Sequence, residues 1–98
     1  MYNPKPEDIS NVELPKEVDE LLEALARNTH KVWAEMRIKD GWSQGLLRND
    51  VKKKHPNLVP YEELPDNERE IDRKVTINVL KFIYKKGYII INNDRRTD

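Results

Sequence analysis

The chain of 98 residues contains no cysteine, so neither a disulfide framework nor a thiolate metal site can be built from it. Its two histidines, His30 and His55, are too few and too isolated for a zinc cluster. No apolar run approaches the roughly 20 residues that span a bilayer, and the opening MYNPKPEDIS lacks the charged-then-apolar layout of a secretion signal. Neither sign of charge prevails, because 18 Lys and Arg balance 18 Asp and Glu. A net charge of zero supplies no global field for holding nucleic acid or an anionic membrane. No phosphate-binding glycine loop, HExxH or GxSxG is present. The length allows one modest core and excludes two lobes around a large catalytic cleft. These absences predict a single soluble domain over 1–98, a binding module in a reducing cytoplasm. It is expected to have no enzymatic activity, cofactor, metal, membrane or nucleic-acid partner.

What is present is helical in pattern. Residues 1–13 are rich in proline and acidic side chains and have no helical period, which predicts an extended segment lying over the body of the domain. Leu14-Pro15, followed by Glu17, Asp19 and Glu20, has the chemistry of a helix start, and Gly41 that of a helix end. A second Leu-Pro pair at 64–65, with Asp66, Glu68 and Glu70 behind it and Gly87 beyond Lys85 and Lys86, repeats the pattern. Helices are therefore expected over 15–39 and 65–86, packed through Leu21, Leu25, Val32, Val75, Val79 and Phe82. Between them, residues 42–61 contain glycine and two prolines without a sustained period. Trp42, Leu46, Leu47, Leu58, Val59 and Tyr61 nevertheless predict an ordered loop that packs down. Residues 88–91 suit one short strand, and 92–98 should fray.

Within the first helix, NTHKVWAEMR places His30, Trp33 and Arg37 at spacings of three and four. At about 100° per residue, they fall roughly 60 to 120° from the apolar stripe of Val18, Leu25, Val32 and Met36. On such a shoulder an indole can stack on a flat ligand, an imidazole can donate or accept, and a guanidinium can bind phosphate bidentately. The same residues also fit a purely structural reading. Trp33 would then widen the core, His30 cap a loop carbonyl and Arg37 pair with an acid.

The loop stretch RNDVKKKHP adds Arg48, Lys52, Lys53, Lys54 and His55, a basic patch suited to phosphate or simply a solvated charge run. His55 precedes Pro56, which disfavours the helical region and suits a fixed polar group better than a mobile general base.

Many spacings match one family: Tyr2, Pro4, Pro6, Asp8 and Ser10 in YNPKPEDIS, then Leu14-Pro15, then LARNTHKVWAEMRIKDGW, which is similar to LAENxHxxWAxxRxxxGW. GLLRNDVKKKHPNLVPY follows GxxRDDxxKxHPxLVPY, and an acid-rich helix leads to Gly87, Tyr88 and Ile90 as in GYxI. Over about residues 2–90 the chain resembles the ryanodine receptor repeat, the RyR domain. It departs at Gln44, where many repeats have tyrosine, and at Asn49, where aspartate is common.

The resemblance implies a mainly α fold in which two antiparallel helices pack together, with long ordered loops and short β-strands around them. It also implies a single free-standing copy of bacterial or phage type, for which nucleotide sensing is the associated role. An adenine nucleotide or ADP-ribose-like molecule is the implied ligand, gripped at the HxxW segment by His30 and Trp33, with Arg37 at the basic position of WAxxR. Arg48, Lys54, His55 and Tyr61 complete the candidate ligand-binding set. A homodimer resembling paired repeats is the implied assembly. A protein-interaction module acting through the aromatic shoulder is the competing expectation.

Overall fold

The computed structural model describes residues 1–95. It is mainly helical, with α1 (Lys16–Asp19), α2 (Leu22–Lys39) and α3 (Asp66–Lys85). The long connection between α2 and α3 contains a two-stranded parallel sheet, β1 (Ser43–Gln44) with β2 (Lys54–His55), and a 3-10 turn over Tyr61–Glu63. No helix or strand precedes residue 16. Of the tail expected to fray, Asn93–Arg95 form a 3-10 turn, and residues 96–98 lie outside the described residues.

Proline and glycine set the helix limits as their backbone chemistry requires. Pro15 and Pro65 cap α1 and α3 with φ of −56° and −58°, where a missing N–H leaves nothing unpaired. At the other ends Gly41 and Gly87 take φ of 91° and 94°, a region closed to most side chains. The turn they make lets the Trp42 N–H donate to the Arg37 carbonyl at 3.0 Å and the Tyr88 N–H to Ile83 at 3.2 Å. Both α2 and α3 thus end in the same left-handed cap.

The helix expected over 15–39 is interrupted at Glu20–Leu21, where the Leu21 N–H closes on the Val18 carbonyl in a tighter turn. On one straight helix Val18 would share the face of Val32 and Met36. The turn re-aims it, and Val18 is buried while those two are exposed. The strand expected at 88–91 is absent. Its backbone turns to the α3 side chains instead, the Ile90 N–H donating to the Tyr84 hydroxyl at 3.1 Å.

The core lies on a different face of the helices from the one expected. Ala26, Tyr61 and Leu64 form its centre, with Val59 packed against them, while His30, Trp42, Thr76 and Leu80 are also buried. Of the six residues expected to pack the helices, Leu25 is half-buried and the others are exposed, Val32 at 50%, Val75 at 56% and Val79 at 53%. The reason is the returning loop. Residues 42–64 fold over the side of α2 that carries Ala26 and His30 and bring Tyr61 and Leu64 with them, leaving the more apolar stripe outside.

Ion pairs at the rim tie these parts together. Arg73 of α3 grips Glu23 of α2 through two hydrogen bonds of 2.7 and 3.1 Å, and Arg27 reaches Glu62 in the 3-10 turn at 2.7 Å. Arg73 holds the Glu23 carboxyl below its ordinary range. Lys85 and Lys86 at the end of α3 clasp Glu7 at 3.2 and 3.1 Å, which fastens the first segment to the body.

Candidate functional site

The inner face of α2 carries Ala26, His30, Trp33 and Arg37 on successive turns, and the loop supplies the groups that meet them. The His30 Nε2–H donates to the Val59 carbonyl at 2.7 Å, so the imidazole pins the loop to the helix. Its ring stacks on Trp33 with centroids 5.5 Å apart and 26° between planes. His55 approaches the same indole edge-on at 5.0 Å, and Trp42 lies 6.2 Å from His55. Arg37 lies between the two indoles, 5.7 Å from the Trp33 ring and 4.9 Å from the Trp42 ring. Arg48 reaches Trp42 from the loop at 6.0 Å. Cations over aromatic faces are attracted by the ring quadrupole, and each such contact contributes about 0.5–1 kcal/mol at exposed sites.

The electrostatics of this cluster are locally positive. Arg37 makes no ion pair among the described residues, whereas Arg48 holds Asp50 through two hydrogen bonds of 2.8 and 3.4 Å. That pairing lowers the Asp50 pKa, with Arg37 and His55 adding to the effect. Burial, and then the charges of Arg48 and Arg37, push His55 below the usual imidazole value. Its Nδ1 accepts the Asn57 N–H at 3.0 Å, which leaves the proton of the neutral ring on Nε2.

The sequence-derived trio does not share one cavity. Trp33 and Arg37, with Met36 and Asp40, line an open recess of about 340 Å³, whereas His30 lines a cleft of about 610 Å³ on the other flank of α2. Ala34, Ile38, Leu58, Val59 and Tyr61 make the second cleft largely apolar. Trp33, Arg37, Trp42 and His55 are therefore joined by ring and cation contacts: two indoles, an imidazole, and a guanidinium that makes no ion pair among the described residues. Sequence pattern marks Trp42 as a packing residue and does not place it in this set. Its position directly after the helix-ending Gly41, five residues beyond Arg37, is the signal that could have found it.

A family model described as RyR domain matches residues 2–92, almost the whole chain. The chain belongs to the RyR domain family. Two of the residues expected at the ligand site of this RyR domain are engaged elsewhere. The Lys54 ammonium donates to the Ser43 hydroxyl at 2.7 Å and braces β1 against β2. Tyr61 is 3% exposed, with Arg27 5.4 Å above its ring and the His30 ring 6.2 Å away. Its buried hydroxyl lies near Glu23 without meeting hydrogen-bond geometry, and burial together with that carboxylate pushes the phenol up. Among the described residues of the RyR domain, no group of three or more His, Asp or Glu is placed to hold a metal ion. Among the described residues, no helix is long and apolar enough to cross a membrane.

Proposed function

We propose that this RyR domain is a non-enzymatic module that binds a flat, anionic, nucleotide-like molecule at the Trp33–Arg37 recess. The observation that carries the reading is Arg37 lying against both Trp33 and Trp42 while making no ion pair among the described residues, Asp40 of the same recess being paired with Lys53. A phosphate can take that open charge while a ring lies against the indole edge of the recess. At about 340 Å³ the recess falls at the small end of ligand sites, which run from about 300 to 1,000 Å³. His30 and His55 act behind the surface, holding Trp33 from two sides. An adenine nucleotide or an ADP-ribose-like compound, acting without a cofactor in a reducing cytoplasm, fits this reading.

The antiparallel course of the two long helices belongs to the same proposal. It is supported by what meets along them: Leu25 and Thr29 share a cleft with Val75, Thr76, Val79 and Leu80, while His30 lies within the field of Asp72, nearer the start of α3.

Isothermal titration calorimetry with ATP and ADP-ribose tests the ligand reading. Trp33→Ala should weaken binding by about 1–3 kcal/mol, the range of base–aromatic stacking, or roughly 5- to 150-fold. Absence of heat with either compound at millimolar concentration, or binding by both Trp33→Ala and Arg37→Ala equal to the parent's, overturns it. The competing reading, a protein-interaction module using the aromatic shoulder, is favoured by one observation: Trp33 already has ring contacts from both histidines.

A further inference from the structure

A small sheet carries the loop groups around Trp42. The indole stands directly before β1, His55 lies in β2, and Asn49 is tied to Lys54 of β2 by backbone hydrogen bonds of 2.9 and 2.8 Å. The Asn49 side chain closes the turn by accepting the Lys52 N–H at 3.0 Å. Arg48 and Asp50 flank that anchored asparagine, so the backbone beneath both is fixed to the sheet. Two guanidiniums then converge on one ring, Arg37 at 4.9 Å and Arg48 at 6.0 Å from the centre of Trp42. Like charges held beside one ring oppose each other, and an anion near both relieves the repulsion. In this chain the anion is the Asp50 carboxylate, which takes two hydrogen bonds from Arg48.

We infer that Asp50 is a resident counter-ion of the ligand site, displaced from Arg48 by the second phosphoryl group of a nucleoside diphosphate. The inference rests on the ligand reading above and deepens it: Arg37 takes the first phosphoryl group and Arg48 the second. Trp33, Met36, Arg37 and Asp40 wall the recess, so only a ligand that extends past Arg37 meets Arg48 and Asp50. Asp40 is occupied by Lys53, whose ammonium lies 3.7 Å from its carboxylate and donates to its carbonyl at 2.7 Å. Asp50 is thus the carboxylate that holds a guanidinium of the indole cluster. Its carboxyl is drawn below the ordinary range first by the hydrogen bonds from Arg48, then by the charges of Arg48, Arg37 and His55. An anion at that place feels the free cation of the recess as well as its own partner.

Exposure makes the exchange easy. The Arg48 and Asp50 side chains are 55% and 67% exposed, and an ion pair in that setting contributes little because water screens it. A phosphoryl group carries more charge than a carboxylate and accepts a guanidinium bidentately, so it outcompetes Asp50 once its ligand is held in the recess. A monophosphate has its single group taken by Arg37 and leaves the Arg48–Asp50 pair intact. The pair therefore sorts ligands by their number of phosphoryl groups.

The test is calorimetric titration of the full chain with AMP and ADP. The parent should bind ADP more tightly than AMP, and Arg48→Ala should bind ADP no more tightly than AMP. Asp50→Asn should tighten ADP by about 2- to 5-fold, the weight of one exposed ion pair, and AMP by less. The double variant Arg48→Ala/Asp50→Asn separates displacement from simple repulsion. If Asp50 competes for Arg48, the gain disappears in the Arg48→Ala background; if it only repels the ligand through space, the gain persists. A persisting gain overturns the inference, as does ADP binding unchanged in Asp50→Asn or a parent that binds both nucleotides equally. In each of those cases nucleotides still bind, and the Trp33–Arg37 reading stands. Absence of binding by the parent and every variant overturns both. Should circular dichroism show Arg48→Ala to be unfolded, Arg48→Gln takes its place under the same outcomes.

Discussion

Replacing Arg37 with alanine separates a residue that supports the fold from one that merely decorates a helix. The guanidinium touches two indoles, at 5.7 and 4.9 Å, and makes no ion pair among the described residues. Two cation–π contacts at about 0.5–1 kcal/mol each give an expected loss of roughly 1–2 kcal/mol. An exposed arginine on a helix surface changes stability by only about 0.5 kcal/mol. For a domain of this size each kcal/mol moves the melting temperature by about 4–8 °C, so the difference is readable in both urea and thermal melts. A double-mutant cycle with Trp42→Ala assigns the loss to the contact itself, with a coupling of about 0.5–1 kcal/mol expected. Melts of the parent and Arg37→Ala that coincide within about 0.3 kcal/mol, or a cycle with no coupling, refute the account of Arg37 as the link between the indoles. Because the variant remains largely folded at room temperature, its ligand affinity can be measured separately from its stability.

Two further outcomes follow from burial and charge. Leu80→Ala, at a site only 6% exposed, should cost about 2–5 kcal/mol in urea unfolding, while Val79→Ala should cost about 0.5 kcal/mol or less; the reverse order would place the core on the outer stripe. Stability should fall as pH drops below 6.5, because burial and two arginines depress His55 in the fold, so the unfolded chain binds the proton more readily. The contribution is whole above 6.5 and is lost as pH falls from there through the folded value. A urea midpoint that is flat between pH 7 and 5 in the parent, or that falls equally in His55→Gln, contradicts it.

The parts of the fold written in short-range chemistry were legible in the sequence. The Leu-Pro pairs place the starts of α1 and α3, and the glycines the ends of α2 and α3, to within a residue or two, since proline and glycine act on the backbone wherever they stand. The break before Leu22 was not legible, because no proline or glycine marks Glu20–Leu21 and the turn forms to bury Val18. β1 and β2 are two residues each, too short to carry an alternation, and residues 88–91 have β-branched composition without a neighbouring strand. The core went to the wrong face for a physical reason. Periodicity identifies the most apolar stripe, but which stripe is covered depends on where Tyr61 and Leu64 return, a long-range matter. The same holds for the site. The structural reading of His30 as a cap on a loop carbonyl matches its contact with Val59. Trp42 enters the site only because Gly41 turns the chain back over the helix.

That turn has a consequence for how the recess could be carried from one protein to another. His30, Trp33, Arg37 and Trp42 fall within thirteen consecutive positions, and the Trp42 amide bonds to the carbonyl of the same Arg37 whose side chain lies against its ring. Backbone and side chain of one residue thus grip both parts of its neighbour five positions on. Most of the aromatic cluster is therefore a contiguous cassette, a helix end with its own clasp, for which the remote loop need supply only His55 and the Val59 carbonyl. A helical scaffold that ends in Gly-Trp, with arginine five residues before the tryptophan, already possesses the clasp.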